Sequence, residues 1–212
     1  MMKNIPVFTC AAGAATLILH EIPVWKKAYI LPQSVFTSQS ALLTECAAFC
    51  RAAGAQAVYA RLDGPEECWT FACQLWELVR HGPLPEPTIR LTPVLEENKL
   101  DYRTLYHRRF QDVVGAISLD AGTVPPGAWL WLEDGQVLGL GQVQDGELRA
   151  IAAARPGLGY ALALALLEKA GGETQRLQVN SDNLPALRLY ERLGFEKSST
   201  LCTWYQLSSG SL

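Results

Sequence analysis

Two groups of residues toward the C-terminal end of the chain could do chemistry, and the first is a glycine turn. Its sequence, Arg155-Pro-Gly157-Leu-Gly159, lies between a strand-like segment at Glu147–Ala153 and an apolar run at 160–167 typical of a buried helix. Glycines where a strand becomes a helix let the backbone approach a ligand, and the unpaired N–H groups and positive dipole of the helix start attract an anion. The turn therefore predicts a phosphate or pyrophosphate site. The alternative is a turn that only connects two elements.

The second group is the asparagine-containing loop Asn180-Ser-Asp-Asn183, which follows a short apolar strand at 177–179. Its side chains can cap the helix that follows, and Pro185 suits the first turn of that helix. Gly194 then ends the helix. Four residues repeat at the spacing of one helical face: Ala186, Leu189, Tyr190 and Leu193. Tyr190 is therefore predicted to point into the core or into a cleft.

Together the two groups resemble the GCN5-related N-acetyltransferase (GNAT) family. The resemblance is carried by Arg-Pro-Gly-Leu-Gly-Tyr-Ala at 155–161 and, more specifically, by Asn-x-x-Asn-x-x-Ala-x-x-Leu-Tyr-Glu-x-x-Gly-Phe at 180–195. It implies the α/β acyl-CoA N-acyltransferase fold of that family, an α+β arrangement around a mixed sheet.

The resemblance also implies acetyl-CoA as cosubstrate and no metal. In the family the glycine turn holds the pyrophosphate through backbone amides, while the preceding strand splays from its neighbour and pairs with the pantetheine arm. The residues of this chain at the corresponding positions are Ile151, Ala152, Ala153, Arg155, Pro156, Gly157, Leu158, Gly159, Tyr160, Ala161, Asn180 and Asn183.

One position departs from the family pattern. The family usually has Gln or Arg three residues before the first glycine of the turn, where this chain has Ala154; Arg155 is displaced by one, and the turn is shorter. We expect this change to alter the cradle for acetyl-CoA, and so its affinity, more than the fold.

Tyr190 and Glu147 are the candidate catalytic residues. In many family members the tyrosine matching Tyr190 protonates the departing CoA thiolate; the alternative is an aromatic side chain that packs the core. Several members place a glutamate base near the position of Glu147, which opens the strand that leads to the turn. The alternative for Glu147 is a solvated residue after the Asp145-Gly146 turn.

Two further side chains have open interpretations. Arg149 could bind an acidic group of the acceptor or be exposed to solvent. His107 stands beside Arg108 in an amphipathic helix at 96–111, the region that lines the acceptor pocket in the family. It is interpreted as a surface histidine, with contact to the acceptor as the alternative.

The reaction that the resemblance implies is direct transfer of an acetyl group, within a ternary complex, to a primary amine of a small molecule or peptide. The alternative is a non-catalytic regulatory protein that binds acyl-CoA. The sequence carries no signal for the identity of the acceptor or for an oligomeric state.

Composition excludes several other classes. The 212 residues are 49% hydrophobic and 18% charged, with a net charge of −3 and no cluster of Lys and Arg, which argues against nucleic acid as a partner. No apolar run reaches the roughly 18 residues of a membrane span. The first residues, Met-Met-Lys-Asn-Ile-Pro, lack the apolar core of a signal peptide, so a cytoplasmic protein is expected.

The six cysteines include no Cys-x-x-Cys pair and the chain has only three histidines, which argues against a zinc site. Cys46 and Cys50 are four residues apart in an apolar helical pattern. They are interpreted as buried reduced thiols in preference to metal ligands or a nucleophile.

The proline-rich segment at 81–87 is interpreted as a linker between two domains, residues 1–82 and 88–212. Before the linker, periodicity predicts strands at 14–19, 27–31 and 57–62, a helix that follows Ser38 and a second helix at 68–79. This β-β-α-β-α order resembles the second half of a GNAT domain. We interpret it as a degenerate copy, because it has no glycine turn and no Asn-x-x-Asn loop.

After the linker, the patterns predict an opening strand at 89–93 and the helix at 96–111. A short helix and a loop are expected at 112–127. Two strands at 129–132 and 137–143 flank a hairpin signal at Asp134-Gly135. The segment 196–207 is predicted to form a last pair of strands.

Overall fold

A computed structural model describes residues 6–208, so most of the N-terminal segment used to argue against a signal peptide lies outside the described residues. The chain forms two compact units. Unit 1 contains the residues up to Leu75, Val114–Ser118 and the residues from Thr200 onward; unit 2 contains Trp76–Val113 and Leu119–Ser199. None of the helices in the described chain is long and apolar enough to cross a membrane.

Unit 1 is built around a mixed group of antiparallel and parallel strands and one long helix. Ser38 caps that helix, since its hydroxyl accepts the N–H of Ala41 at 3.3 Å. The strands predicted at 14–19, 27–31 and 57–62 are confirmed, as is the helix. In chain order the elements are β1 (Val7–Cys10), β2 (Gly13–Ile18), α1 (Ile22–Trp25), β3 (Lys27–Val35), α2 (Gln39–Ala52), β4 (Ala57–Arg61) and β5 (Trp69–His81), the last of which ends in unit 2.

The helix predicted at 68–79 is wrong, because this segment is strand β5. Trp69 and Cys73 are both buried, and a separation of four residues places two side chains on one face of a helix and equally on one face of a strand. Leu78 and Arg80 are buried as well, at even positions that belong to the opposite face of the strand. The observed order of the first half is therefore β-β-α-β-α-β-β, with a short first helix.

Within unit 1, β2 pairs antiparallel with β1 and β3, and β3 pairs parallel with β4 after the crossover through α2. The inner face of α2 fills the core with fully buried side chains that include Cys46 and Cys50. Burial raises the pKa of each thiol to about 12, so both remain protonated and uncharged at neutral pH. The interpretation as buried reduced thiols is confirmed.

Unit 1 also holds a segment from far along the chain, Val114–Ser118. The Tyr29 hydroxyl accepts the N–H of Gly115 at 3.2 Å, and the buried Glu21 carboxylate accepts the N–H of Ser118 at 2.9 Å. Residues 112–127 form turns and irregular backbone without a helix, so the short helix expected there is wrong. Tyr29 and Glu21, which are remote in sequence, therefore accept N–H groups of Gly115 and Ser118 that in a helix would donate to carbonyls of the same segment.

Unit 2 contains the remaining elements. The predicted helix at 96–111 and the hairpin around Asp134-Gly135 are confirmed, whereas the expected opening strand is reduced to two residues and the expected last strand pair is one strand. The elements are β6 (Thr92–Pro93), α3 (Lys99–Phe110), β7 (Ala128–Glu133), β8 (Gln136–Gln144), β9 (Glu147–Ala153), α4 (Gly159–Ala170), β10 (Thr174–Asn180), α5 (Leu184–Arg192) and β11 (Glu196–Leu207), whose end lies in unit 1.

The same arrangement of elements occurs in both units. In unit 2, β8 pairs antiparallel with β9, and β9 pairs parallel with β10 after the crossover through α4. In unit 1, β2, β3, α2 and β4 repeat this order with the same strand directions. The repeat inferred from element order is therefore present in the backbone.

A buried arginine joins several elements of unit 2. Arg80 is 7% exposed, and its guanidinium donates to the carbonyls of Leu193 at 2.7 Å and Gly82 at 2.8 Å and to Oε1 of Gln175 at 3.0 Å. Because Leu193 follows the last turn of α5, the arginine satisfies a carbonyl that the helix itself leaves unpaired.

Replacing Arg80 with Met keeps the apolar stem but removes every donor, and we expect a loss of about 2–4 kcal/mol of stability because several buried acceptors lose their partner. Arg176→Met is the matched control: its side chain is 51% exposed and its ion pair with Glu77 is 3.5 Å long, so a loss within about 0.5 kcal/mol is expected. Denaturant unfolding of both variants measures the difference. Equal losses would contradict the structural role of Arg80.

Candidate active site

The strand that leads to the glycine turn separates from its neighbour. Strands β9 and β10 are parallel, but they pair only at Glu147 with Arg176 and at Leu148 with Leu177. Residues 150–153 of β9 remain paired with β8 on the other side, up to Ala153 with Gly139. The edge of β9 that faces β10 is thus open over these residues, and such an edge can pair with an extended ligand. We call the space between residues 149–153 and 178–180 the β9–β10 gap.

A β-bulge coincides with the point where the strands separate. Val143 pairs with Leu148 and Gln142 pairs with Ala150, so Arg149 is an extra residue in β9. A bulge bends a strand and increases its twist. In a regular strand Leu148 and Ala150, two positions apart, would lie on the same face of the sheet. Here the bulge places them on opposite faces, because Leu148 packs in the cluster of α4 and Ala150 packs in the cluster of α3.

The glycine turn presents backbone amides at the end of the gap. Gly157 is exposed and has φ of +91°, a conformation that favours glycine. Helix α4 begins at Gly159, no side chain caps its start, and its first turn closes with the N–H of Leu162 on the carbonyl of Leu158. The N–H groups of residues 159–161 therefore have no acceptor within the helix and no capping side chain, which fits an anion such as a pyrophosphate.

Three side chains beyond the turn support it. Leu189 of α5 lies against Gly159, where an added Cβ would stand 3.2 Å from its Cδ2, and the Arg192 guanidinium lies 5.1 Å from the ring centre of Tyr160. Arg109, at the end of α3, donates to the carbonyl of Ala154. An arginine remote in sequence thus binds the backbone at the position where the family has a long polar side chain. The sequence could not indicate this contact, because nothing local links Arg109 to the turn.

The asparagine loop begins α5 as the sequence predicts. Oδ1 of Asn183 accepts the N–H of Ala186 at 3.2 Å, which confirms the predicted cap. Asn180 is buried, and its carbonyl accepts the N–H of Asn183 at 3.0 Å. The loop is therefore held rigidly at the end of β10 that borders the gap.

Tyr190 points inward, as its helical spacing predicts. It is 4% exposed and packs edge-on against Phe195 at 5.8 Å, in a cluster that includes the inner face of α4. Burial raises the pKa of its hydroxyl above the ordinary value of about 10. The hydroxyl therefore keeps its proton at neutral and moderately alkaline pH.

Glu147 stands at the opposite end of β9 from the glycine turn, roughly 20 Å from Ala153 by the rise of a strand. Its carboxylate forms an ion pair with Arg149 at 2.8 Å, and both side chains are partly exposed. The structure therefore places the candidate base away from the turn and beside the bulge residue.

His107 holds a loop in place. Its Nε2 accepts the N–H of Leu119 at 3.0 Å, while Nε of Arg103, one helical turn earlier, donates to the carbonyl of Leu119 at 3.1 Å. The interpretation of His107 as a surface histidine is wrong in this respect: His107 is half-buried, and α3 binds both the N–H and the C=O of Leu119. No group of three or more His, Cys, Asp or Glu side chains within residues 6–208 could hold a metal ion.

Comparisons with known proteins agree with this geometry. The family model described as "Acetyltransferase (GNAT) family" matches residues 91–195. A GCN5-related N-acetyltransferase from Kribbella flavida superposes with a TM-score of 0.55 at 20% identity, covering 98% of this chain and 91% of that chain. One from Sphaerobacter thermophilus gives a TM-score of 0.55 at 14% identity, covering 92% and 76%. No curated protein matches the sequence.

Residues 91–195 therefore form a GNAT acetyltransferase domain. A GNAT-family acetyltransferase from Colwellia psychrerythraea, with a TM-score of 0.52 at 12% identity, covers 95% of this chain, so its likeness in fold extends into the N-terminal half. With the repeated β-β-α-β arrangement, the N-terminal half also has a GNAT-like fold.

Proposed function

We propose that this protein is an acetyl-CoA-dependent N-acetyltransferase that transfers the acetyl group directly to a primary amine of a small molecule or peptide. The observation that carries the proposal is the β9–β10 gap, which ends at a glycine turn and an uncapped helix start. An extended arm with amides of its own and a pyrophosphate at one end matches these features in order. Acetyl-CoA has this shape.

In this proposal the backbone does most of the binding. The N–H groups of residues 159–161 receive the pyrophosphate, and the open edge of Ile151–Ala153 pairs with the pantetheine amides. Arg155, Pro156 and Gly157 are exposed at the turn and border the nucleotide. Oδ1 of Asn183 accepts the capping hydrogen bond from Ala186. This bond fixes the orientation of the side-chain amide relative to the start of α5.

The chemistry needs two proton transfers. The neutral amine attacks the thioester carbonyl, a C–N bond forms, the C–S bond breaks and CoA leaves as a thiolate. Tyr190 supplies a proton to that thiolate. Burial raises the pKa of Tyr190, which by itself would disfavour loss of its proton. The same apolar surroundings also raise the pKa of the CoA thiol, so the two effects act in opposite directions on the transfer.

Glu147 is the proposed base for the proton that the amine loses. It lies on the strand that borders the cosubstrate, and its ion pair with Arg149 holds the carboxylate in place. Glu147→Gln keeps the side-chain shape and removes the basic oxygen. The variant therefore distinguishes a role of Glu147 as catalytic base from a purely structural role in the ion pair with Arg149.

Two measurements test the proposal. Isothermal titration with acetyl-CoA should show saturable binding, and CoA release with a panel of primary amines should show turnover. Binding without turnover would favour the alternative, an acyl-CoA-binding regulatory protein, for which the short turn and Ala154 are the supporting observations. Absence of binding in a folded protein would overturn both.

A further inference from the structure

Helix α5 ends in a glycine motif that includes Tyr190. The N–H of Phe195 donates to the carbonyl of Tyr190 at 2.9 Å, and the N–H of Gly194 donates to the carbonyl of Glu191 at 2.9 Å. Gly194 has φ of +81°. These are the two hydrogen bonds and the left-handed residue of a Schellman motif, whose first and last residues commonly make an apolar contact. Here that contact joins the rings of Tyr190 and Phe195, so the place of the Tyr190 ring depends on how the motif is held.

One carbonyl of the motif is bound from outside the helix. The carbonyl of Leu193 lies past the last turn of α5, where the helix has no N–H left to pair with it. Nε of Arg80 donates to this carbonyl at 2.7 Å. Leu193 in turn donates its own N–H to the carbonyl of Tyr190 at 3.1 Å. Two hydrogen bonds through a single residue therefore connect the Arg80 guanidinium to the backbone of Tyr190.

The rest of the Arg80 guanidinium is bound to elements other than α5. Nη1 donates to the Gly82 carbonyl at 2.8 Å and to Oε1 of Gln175 at 3.0 Å, and Nη2 donates to the carbonyl of Pro83. Gln175 is 1% exposed, and its Nε2 donates to the carbonyl of Gly172 at 2.6 Å, just after α4. The network thus ties the end of α5 to the start of β10 and to the end of α4.

The acceptors of Arg80 are all uncharged, since three are backbone carbonyls and one is a side-chain amide. A buried cation is costly unless well-placed hydrogen bonds replace its water. The C-terminal end of a helix carries partial negative charge, which favours a guanidinium beside Leu193. Because the donors of a guanidinium form a rigid planar fork, they restrict the direction as well as the distance of each acceptor.

Arg80 lies outside the part of the chain that matches the family model. It belongs to β5, whereas the matched residues are 91–195. None of its acceptors belongs to the glycine turn, to the open edge of β9 or to the asparagine loop. A change at Arg80 should therefore act on the end of α5 and leave the proposed site for acetyl-CoA in place.

Resting on the proposed function, we propose that Arg80 is a positioning residue for the acetyl transfer: it holds the Schellman motif of α5 and thereby fixes the hydroxyl of Tyr190 where the leaving thiolate takes its proton. Arg80 itself touches neither substrate. Its effect on the reaction passes through Tyr190, which distinguishes this role from a contribution to folding alone.

The test is a double-mutant cycle between Arg80 and Tyr190, with acetyl-CoA and the amine of the panel that gives the highest turnover. Each kcat is normalised to the folded fraction from denaturant unfolding. Arg80→Met should lower kcat by about tenfold, because a small displacement of a reacting group is costly, and the acetyl-CoA Kd should not change. In the Tyr190→Phe background the same substitution should change kcat by less than about twofold, since no hydroxyl remains to be positioned.

Two further variants complete the test. Arg80→Lys keeps the positive charge but not the planar fork, so it should recover part of the kcat lost in Arg80→Met. The same cycle can be measured with Arg80→Lys if Arg80→Met does not fold. Arg176→Met is the matched control, because Arg176 is next to Gln175 on β10 and its side chain is 51% exposed; it should leave kcat and the acetyl-CoA Kd unchanged.

An equal loss of kcat with and without the Tyr190 hydroxyl would overturn the positioning role, as would an unchanged kcat in a folded Arg80→Met variant. A wild-type kcat in Tyr190→Phe would overturn it as well, while acetyl-CoA binding and turnover would keep the proposed function. Absence of acetyl-CoA binding in the wild type overturns the proposed function and this inference with it.

Discussion

Replacing Tyr190 with Phe is expected to lower kcat by about 10²-fold, at the lower end for a general acid, while the acetyl-CoA Kd stays nearly unchanged. The Phe variant keeps the ring and its contact with Phe195 but lacks the phenolic proton that the proposed mechanism assigns to the leaving thiolate. Steady-state kinetics with a productive amine and titration with acetyl-CoA measure the two quantities separately.

Pre-steady-state release of CoA and the melting temperature complete this comparison. A wild-type kcat in a folded Tyr190→Phe variant would make Tyr190 a core aromatic residue only, and parallel losses of binding and stability would make its hydroxyl structural.

The pH profile gives an independent check. Because the pKa of Tyr190 is raised by burial, the acid form persists above its ordinary value of about 10, so Tyr190 should cause no fall of kcat below that pH.

Gly159→Val is expected to weaken acetyl-CoA binding by about tenfold or more. A side chain at residue 159 would stand at the start of α4, between the uncapped amides and the pyrophosphate proposed to bind them, and its Cβ would also press on Leu189 at 3.2 Å. Titration calorimetry with acetyl-CoA and with CoA measures the loss.

The control for this variant is Gly64→Val, because Gly64 has an ordinary φ and nothing within 4 Å of an added Cβ. It should leave the affinity unchanged. To separate the push on Leu189 from the block of the amides, Leu189→Ala can be combined with Gly159→Val: relief of the contact should restore stability and not affinity. Unchanged affinity in folded Gly159→Val would rule out the turn as the pyrophosphate site.

The local motifs of the candidate site could be predicted from the sequence because their geometry depends on neighbours a few residues away. The glycine turn before α4, the cap from Asn183 and the inward aim of Tyr190 all follow from turn chemistry and from a spacing of 3.6 residues. The roles of Tyr190 and Glu147 in catalysis stay predictions.

The strand β5 shows where such reasoning ends. A separation of four residues, as between Trp69 and Cys73, satisfies helix and strand alike, and only the burial of Leu78 and Arg80 on the other face distinguishes them. That second face exists only because other elements cover it, so the choice depends on tertiary packing.

The sequence by itself determined the family, the glycine turn, the asparagine cap and the two helices that follow them, since each depends on short-range backbone and side-chain interactions. The tertiary structure alone decided the bulge at Arg149, the end of pairing between β9 and β10, the arginine from α3 on the Ala154 carbonyl and the clamp on Leu119. These features join residues that are far apart in the chain, and their energies depend on which partners the folded backbone brings within hydrogen-bond distance.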